Sequence, residues 1–178
     1  DGATANIGSK CCAWLPSSSA GCRRIAVTIG TSAAARVCLP LSIEDESFPS
    51  RRYSGDVSVP PGLFCYRVDR DRVLLGGALT DGGSVVEWAR SLLNLQSSES
   101  FEACLEQVRV VYEKSCTASD QSGGVTMVPF LSGERSTGFR GGAQGCVSGI
   151  TRETTTTDFM HGCLQSVILR LGCVLKLL

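Results

Sequence analysis

Histidine is almost absent from this chain: His161 is the only one in 178 residues. No two of the ten cysteines stand at C-x-x-C spacing. Protein zinc centres draw their ligands mostly from those two residue types in short spacings, so no metal site is expected. An excess of charge of either sign is also missing. Lys plus Arg and Asp plus Glu each number 17, for a formal net charge of zero. Binding nucleic acid requires a basic surface that neutralises phosphates, so nucleic acid is excluded as a partner. There is no uninterrupted apolar run of membrane-spanning length. The longest apolar stretch, residues 159–178, is broken by His161, Gln165, Arg170 and Lys176. It reads as an amphipathic helix, and no membrane partner is expected. A charged-then-apolar signal segment is lacking too, and the expectation is a cytoplasmic protein. Neither G-x-x-x-x-G-K-[ST] nor G-x-G-x-x-G occurs, so any nucleotide must be held another way.

What remains is the composition of an ordinary folded domain. Hydrophobic residues make up 43% and charged residues 19%, and the length suffices for one domain with a buried core. Cysteine is the abundant exception: Cys11, Cys12, Cys22, Cys38, Cys65, Cys104, Cys116, Cys146, Cys163 and Cys173. A disulfide framework belongs to small chains that lack a core, and this chain is neither. Most of these cysteines fall within apolar strand or helix patterns and are expected to be reduced core residues.

Residues 1–13 are rich in small side chains and read as a loop leading into a helix turn. Residues 14–22 open with WLPSSSAG, a stretch of linker character. Arg24–Ile29 (RIAVTI) and Ala35–Leu39 then read as a hairpin with Gly30-Thr31-Ser32 at its tip. Residues 42–61 are polar, and four of the six prolines lie between Pro40 and Pro61, which marks a surface loop. Gly62–Val68 and Val73–Leu79 form a second strand pair around the alternating-charge turn Asp69–Arg72, which needs no functional role. Asp81-Gly82-Gly83 opens a helix from Ser84 to about Leu93, with Ser84 and Glu87 at capping-box spacing. A second helix is expected over about Phe101–Tyr112, and a strand over Val125–Phe130. Residues 131–144 (LSGERSTGFRGGAQ) form a loop, and Gly145–Ile150 is short and extended. The last helix starts near Asp158, with Phe159, Cys163, Val167, Leu171 and Val174 along its apolar stripe and His161 solvated on its polar face. Strand pairs followed by helices make this a mixed α/β domain, not a doubly wound parallel sheet.

Phosphate handling needs backbone N–H groups that point outward together, and small residues that let the phosphate approach. The Ile29-Gly30-Thr31-Ser32 tip meets both conditions. A plain hairpin turn accounts for the same residues.

Several segments, taken in order, resemble successive blocks of the FGGY carbohydrate kinases. They are Asp1-Gly2-Ala3, Arg24–Ser32 (RIAVTIGTS), Gly62–Trp88 (GLFCYRVDRDRVLLGGALTDGGSVVEW) and Pro129–Phe139 (PFLSGERSTGF). The closing block is the most specific: Gly145-x-Val147-x-Gly149-Ile150, then Asp158-Phe159 and Leu164-Gln165. It departs from the family pattern only at Gly162 and Cys163. The resemblance spans nearly the whole chain except residues 14–22 and the proline-rich loop. Its flavour is closest to gluconate-kinase-like or xylulose-kinase-like members.

The resemblance implies part of a second, carboxy-terminal domain of the actin-like (ribonuclease H-like) ATPase fold, incomplete at both ends. It implies a phosphotransferase using ATP and Mg²⁺ on a hydroxyl of a small sugar or sugar acid. Asp1 would act as general base on that hydroxyl, Gly30, Thr31 and Ser32 would lie against ATP phosphates, and Gly83 and Glu87 would sit near the nucleotide. Asp1 also reads as a helix-capping carboxylate, and Glu87 as the capping partner of Ser84. Glu134 and Arg135 are expected to organise their own loop. The family's amino-terminal domain and later adenine-binding segment would lie outside these residues. The chain alone is therefore expected to show negligible kinase activity and, with part of the last helix uncovered, to self-associate or dimerise. A non-catalytic actin-like remnant serving as a binding or regulatory module is the competing expectation.

Overall fold

Short runs of β-branched and small residues build the sheet on which the described helices pack. The computed structural model describes residues 12–15, 23–40, 59–70, 72–117 and 124–178. Strands β1 (Cys12–Leu15), β2 (Arg23–Ile29), β3 (Ala33–Pro40), β4 (Phe64–Arg67) and β5 (Arg72–Leu79) form one sheet in the order β1-β2-β3-β5-β4. Every neighbouring pair is antiparallel. Both expected hairpins are present, with Ile29 opposite Ala33 and Arg67 opposite Val73. An Asp69–Arg72 ion pair of 2.5 Å closes the second turn.

One segment departs from expectation at its amino-terminal side. Cys12 and Ala13 were expected in a loop entering a helix turn, and Trp14 and Leu15 in a linker. They form β1 instead, with Trp14 opposite Arg24 and Leu15 opposite Arg23. A short apolar run becomes a strand when a partner edge is supplied, and β2 supplies it from outside any local window. Residues 16–22 and 41–58, read as linker and surface loop, lie outside the described residues.

Three helices follow: α1 (Gly83–Leu92), α2 (Ser98–Thr117) and α3 (Thr156–Leu175). Between α2 and α3, β6 (Thr126–Val128) pairs antiparallel with β7 (Cys146–Ser148). Helix α2 runs beyond its apolar positions at both ends. The Ser97 hydroxyl accepts the Ser100 N–H at its start, and Arg109 bridges Glu106 and Glu113 on its exposed face. Helix α3 starts two residues before Asp158 because Thr155 and Asp158 form a reciprocal capping box. The box expected at Ser84 and Glu87 is not formed. Gly82 is the N-cap of α1 without a side-chain cap, and the Ser84 hydroxyl turns back to Asp81.

One sheet face carries Ile25, Ala35, Val37, Leu75 and Leu79 into the core, where they meet Val85 and Ala89 of α1. Helix α3 contributes Met160, Cys163, Val167, Leu171 and Val174. Met160 adds to the expected stripe, and Phe159, half-buried, packs against the core beside Trp88 with ring centroids 6.2 Å apart. His161, expected in solvent, is half-buried. Burial pushes the Cys163 thiol up to about 11 and raises that of Cys104, so both are inert apolar fillers. Cys146 and Cys173 are exposed, which corrects the core expectation for these two. No helix among the described residues is long and apolar enough to cross a membrane.

Helix α3 packs against the sheet at Gly77, where a Cβ would lie 2.6 Å from Cγ1 of the fully buried Val174. Gly77→Ala is expected to cost about 1–3 kcal/mol through overpacking. It would appear as a lower urea midpoint at unchanged m-value. Adding Val174→Ala makes room, so the double variant should be more stable than the two losses summed; strict additivity would show that no such contact exists.

The capping box generates a pH effect. The Thr155 hydroxyl, then the Thr155 N–H, then the His161 charge hold the Asp158 carboxyl below its ordinary value. A carboxyl whose pKa falls on folding adds stability above its unfolded value, and that stability is lost as pH drops through the lowered folded value. Thr155→Ala should therefore cost about 0.5–2 kcal/mol at neutral pH and flatten the acid limb. Melting temperatures of both proteins from about pH 7 to about pH 3 would measure it. Parallel curves would refute the coupling.

Candidate functional site

A helix that starts against other backbone must satisfy its first N–H groups, and α1 has no side chain that does so. The tip of the β2–β3 hairpin does it instead. Gly82 and Ser84 donate to the Thr31 carbonyl at 2.9 and 3.1 Å, and Gly83 donates to the Gly30 carbonyl at 2.6 Å. The approach leaves no space for side chains. A Cβ on Gly82 would lie 2.6 Å from the Ser32 carbonyl carbon, and one on Gly83 2.7 Å from the Gly30 oxygen. These bonds bear on why Ser84 and Glu87 form no capping box: Gly82 is the N-cap, so Ser84 lies inside the first turn, and its N–H is already taken by the Thr31 carbonyl.

The same bonds orient the other side of the tip. The peptide units joining Gly30, Thr31 and Ser32 are trans, and a trans unit holds its N–H opposite its C=O. With the Gly30 and Thr31 carbonyls turned to the helix, the N–H groups of Thr31 and Ser32 point away from it. Gly30, Thr31 and Ser32 are all exposed. A Cβ on Gly30 would meet only the Ser32 carbonyl, at 3.9 Å, so the surface beside it is open. Two outward amides, two hydroxyls and a bare glycine suit an anion.

Behind the helix start lies a second layer. Asp81 is 5% exposed. Its Oδ1 accepts the Ser84 hydroxyl at 3.2 Å and its Oδ2 accepts the Ser132 N–H at 2.9 Å. Ser132 belongs to the 129–140 loop, which is held at two further points. Ser136 pairs with β5 beyond the end of β4, donating its N–H to the Ala78 carbonyl at 2.9 Å and accepting the Ala78 N–H on Oγ at 3.0 Å. From α3, Nη2 of Arg170 donates to Glu134 at 2.5 Å and to the Ser136 carbonyl at 2.7 Å. The guanidinium also lies 4.9 Å above the Phe130 ring. Both ionic side chains are largely buried, at 19% and 10% exposure. A cavity of about 10 Å³ at this junction is too small for a nucleotide or sugar.

Of the residues singled out from sequence, Gly30, Thr31, Ser32 and Gly83 come together at this junction. Glu87 is exposed one turn further along α1, 3.8 Å from Arg90. Asp1 lies outside the described residues. Glu134 organises its loop, whereas Arg135 is exposed. Sequence reasoning passed over Asp81, Ser136 and Arg170. A signal existed for Arg170, a lone cation interrupting an apolar run; its partner Glu134 lies 36 positions away.

Comparison with known proteins bears on these residues. Residues 25–178 match the family model described as the FGGY family of carbohydrate kinases, C-terminal domain. The gluconokinase of Bacillus subtilis (strain 168) is 28% identical over 153 residues, covering 84% of this chain and 27% of its own. A glycerol kinase of Polaromonas naphthalenivorans (strain CJ2) is 33% identical over 94 residues, covering 52% of this chain and 17% of its own. Among solved structures, gluconate kinase from Lactobacillus acidophilus aligns with a TM-score of 0.60 at 26% identity, over 86% of this chain and 27% of that one. Ligand-bound xylulose kinase from the same organism aligns with a TM-score of 0.62 at 25% identity, again over 86% and 27%. The chain thus spans about a quarter of the length of such relatives.

Proposed function

The chain belongs to the FGGY family of carbohydrate kinases, as its C-terminal domain of actin-like α/β fold, and from that premise we propose that it supplies the ATP-phosphate side of a sugar kinase. The reaction is phosphoryl transfer from ATP to a hydroxyl of a small sugar or sugar acid. The observation that carries this reading is the orientation of the hairpin tip. Its carbonyls are bound to α1, so the Thr31 and Ser32 amides face outward. Those two amides, with the Thr31 and Ser32 hydroxyls, would hold phosphate oxygens, and Gly30 would let them approach.

In the transfer, the acceptor hydroxyl oxygen bonds to the γ-phosphorus as the bond to the bridging oxygen breaks, and a base takes the hydroxyl proton. Asp1 is the residue proposed as that base. Among the described residues no group of three or more His, Cys, Asp and Glu could hold a metal ion. Mg²⁺ would come with the nucleotide and supply charge neutralisation at its phosphates. Gly83 would act through the hairpin it supports, and Glu87, exposed on α1, would reach the nucleotide from the solvent side. The names gluconokinase and glycerol kinase among the relatives support the acceptor class.

Titration with Mg-ATP tests this reading. Measurable affinity is expected for the native chain. Gly30→Val has room for its Cβ, so it should leave the melting temperature unchanged while weakening Mg-ATP by about tenfold, the scale of one charge-assisted hydrogen bond. No binding by the native chain, or equal binding by the variant, would overturn the phosphate assignment and favour a binding module without nucleotide.

A further inference from the structure

The hairpin tip is only as well placed as the helix start that grips it, and that start carries no side-chain cap of its own. Asp81, one residue before the N-cap, is what ties it to the body of the domain. Its two oxygens serve different elements: Oδ1 takes the Ser84 hydroxyl from the first turn of α1, and Oδ2 takes the Ser132 N–H from the 129–140 loop. That loop is fixed to β5 through Ser136 and to α3 through the Glu134–Arg170 pair. From α3 to the tip there is thus a continuous line of bonds: Arg170 to Glu134 and Ser136, Ser132 to Asp81, Asp81 to Ser84, and Ser84 N–H to the Thr31 carbonyl.

We propose that Asp81 is a positioning residue that holds the phosphate-facing tip in register by bridging the 129–140 loop to the start of α1. Both of its described partners are neutral donors, so the role depends on two acceptor directions and not on the negative charge. An asparagine can reproduce it. Its Oδ1 accepts the Ser132 N–H, and its Nδ2 donates to the Ser84 oxygen, which can accept as well as donate. An alanine can reproduce neither bond. The effect on nucleotide affinity rests on the kinase reading above; the mechanical coupling does not.

The test compares Asp81→Ala and Asp81→Asn with the native chain by amide hydrogen exchange and by Mg-ATP titration. In Asp81→Ala, the amides of Gly82, Gly83 and Ser84 should exchange roughly tenfold faster and Mg-ATP should bind about tenfold more weakly, the scale of one lost bond to a charged acceptor. Asp81→Asn should restore both. Ser84→Ala carries the test if Asp81→Ala fails to fold: it leaves the Asp81–Ser132 bond in place, so the amides at 82–84 should loosen while Ser132 stays protected. Unchanged exchange at 82–84 in the alanine variant, or in Ser84→Ala where that carries the test, would overturn the bridge. An asparagine variant as defective as alanine would also overturn it, by showing that the charge itself acts. If the native chain binds no Mg-ATP, the nucleotide reading falls while the exchange comparison still decides the bridge.

Discussion

Three N–H groups at the start of α1 donate to two carbonyls at the tip of the β2–β3 hairpin, and the candidate site depends on that exchange. It satisfies donors that would otherwise be orphaned at a helix start. It also fixes the peptide planes of a turn that would otherwise be free to rotate. The geometry requires backbone against backbone, which is why Gly82 and Gly83 stand in succession where side chains would collide with Ser32 and Gly30. Val85 and Ala89 carry the opposite side of α1 into the core, completely buried, so the helix cannot retreat to relieve the contact.

The junction is supported from behind by a loop without regular structure. Breaking a buried ion pair by removing one partner typically costs about 3–5 kcal/mol, because the remaining charge is left uncompensated. The Glu134–Arg170 pair is that kind of lock, strengthened by the Ser136 carbonyl and the Phe130 ring. The closing signature block has a matching structural sense. Gly149 adopts φ +80 with its would-be Cβ 2.6 Å from the Gly124 carbonyl oxygen, and a Cβ on Gly162 would lie 2.6 Å from that of Val125. Together they let α3 and the segment after β7 close on the segment leading into β6. Cys163 next to it meets Met127 sulfur to sulfur at 3.4 Å. Departure from the family pattern at Gly162 and Cys163 therefore falls in a packed contact, where size matters more than chemistry.

How much of this was legible in advance depended on the range of the interaction. The strand pairs, the tip residues and the apolar spacing of α3 are local patterns with periods of two or 3.6 residues, and they could be read directly. The Ser84–Glu87 box had the right spacing and failed because the hairpin tip moves the N-cap to Gly82 and takes the Ser84 N–H. Thr155 and Asp158 have the same spacing and succeed because Thr155 is itself the N-cap, so its hydroxyl accepts the Asp158 N–H while the Asp158 carboxylate accepts the Thr155 N–H. The β1 strand was missed for the same reason in reverse: CAWL has no turn signal or alternation that names a partner, and β2 provides one. The partners of Asp81, Ser136 and Arg170 could not be read, because each acts across 34 to 58 positions of sequence.

The electrostatics of the junction follow from the same bonds. A helix start behaves as about half a positive charge, usually offset by an acidic residue in the first turn. Helix α3 follows that rule with Asp158, whereas α1 has no acidic residue in its first turn. Its N–H groups are occupied, yet the peptide units that occupy them lie in series with the helix. Hydrogen bonding of the Gly30 and Thr31 carbonyls polarises the same units toward their outward N–H groups at Thr31 and Ser32. The positive end of α1 is in this sense displaced from the buried helix start to the exposed tip. Asp81 supports the tip through its two acceptor directions, one to the first turn of α1 and one to the loop behind it.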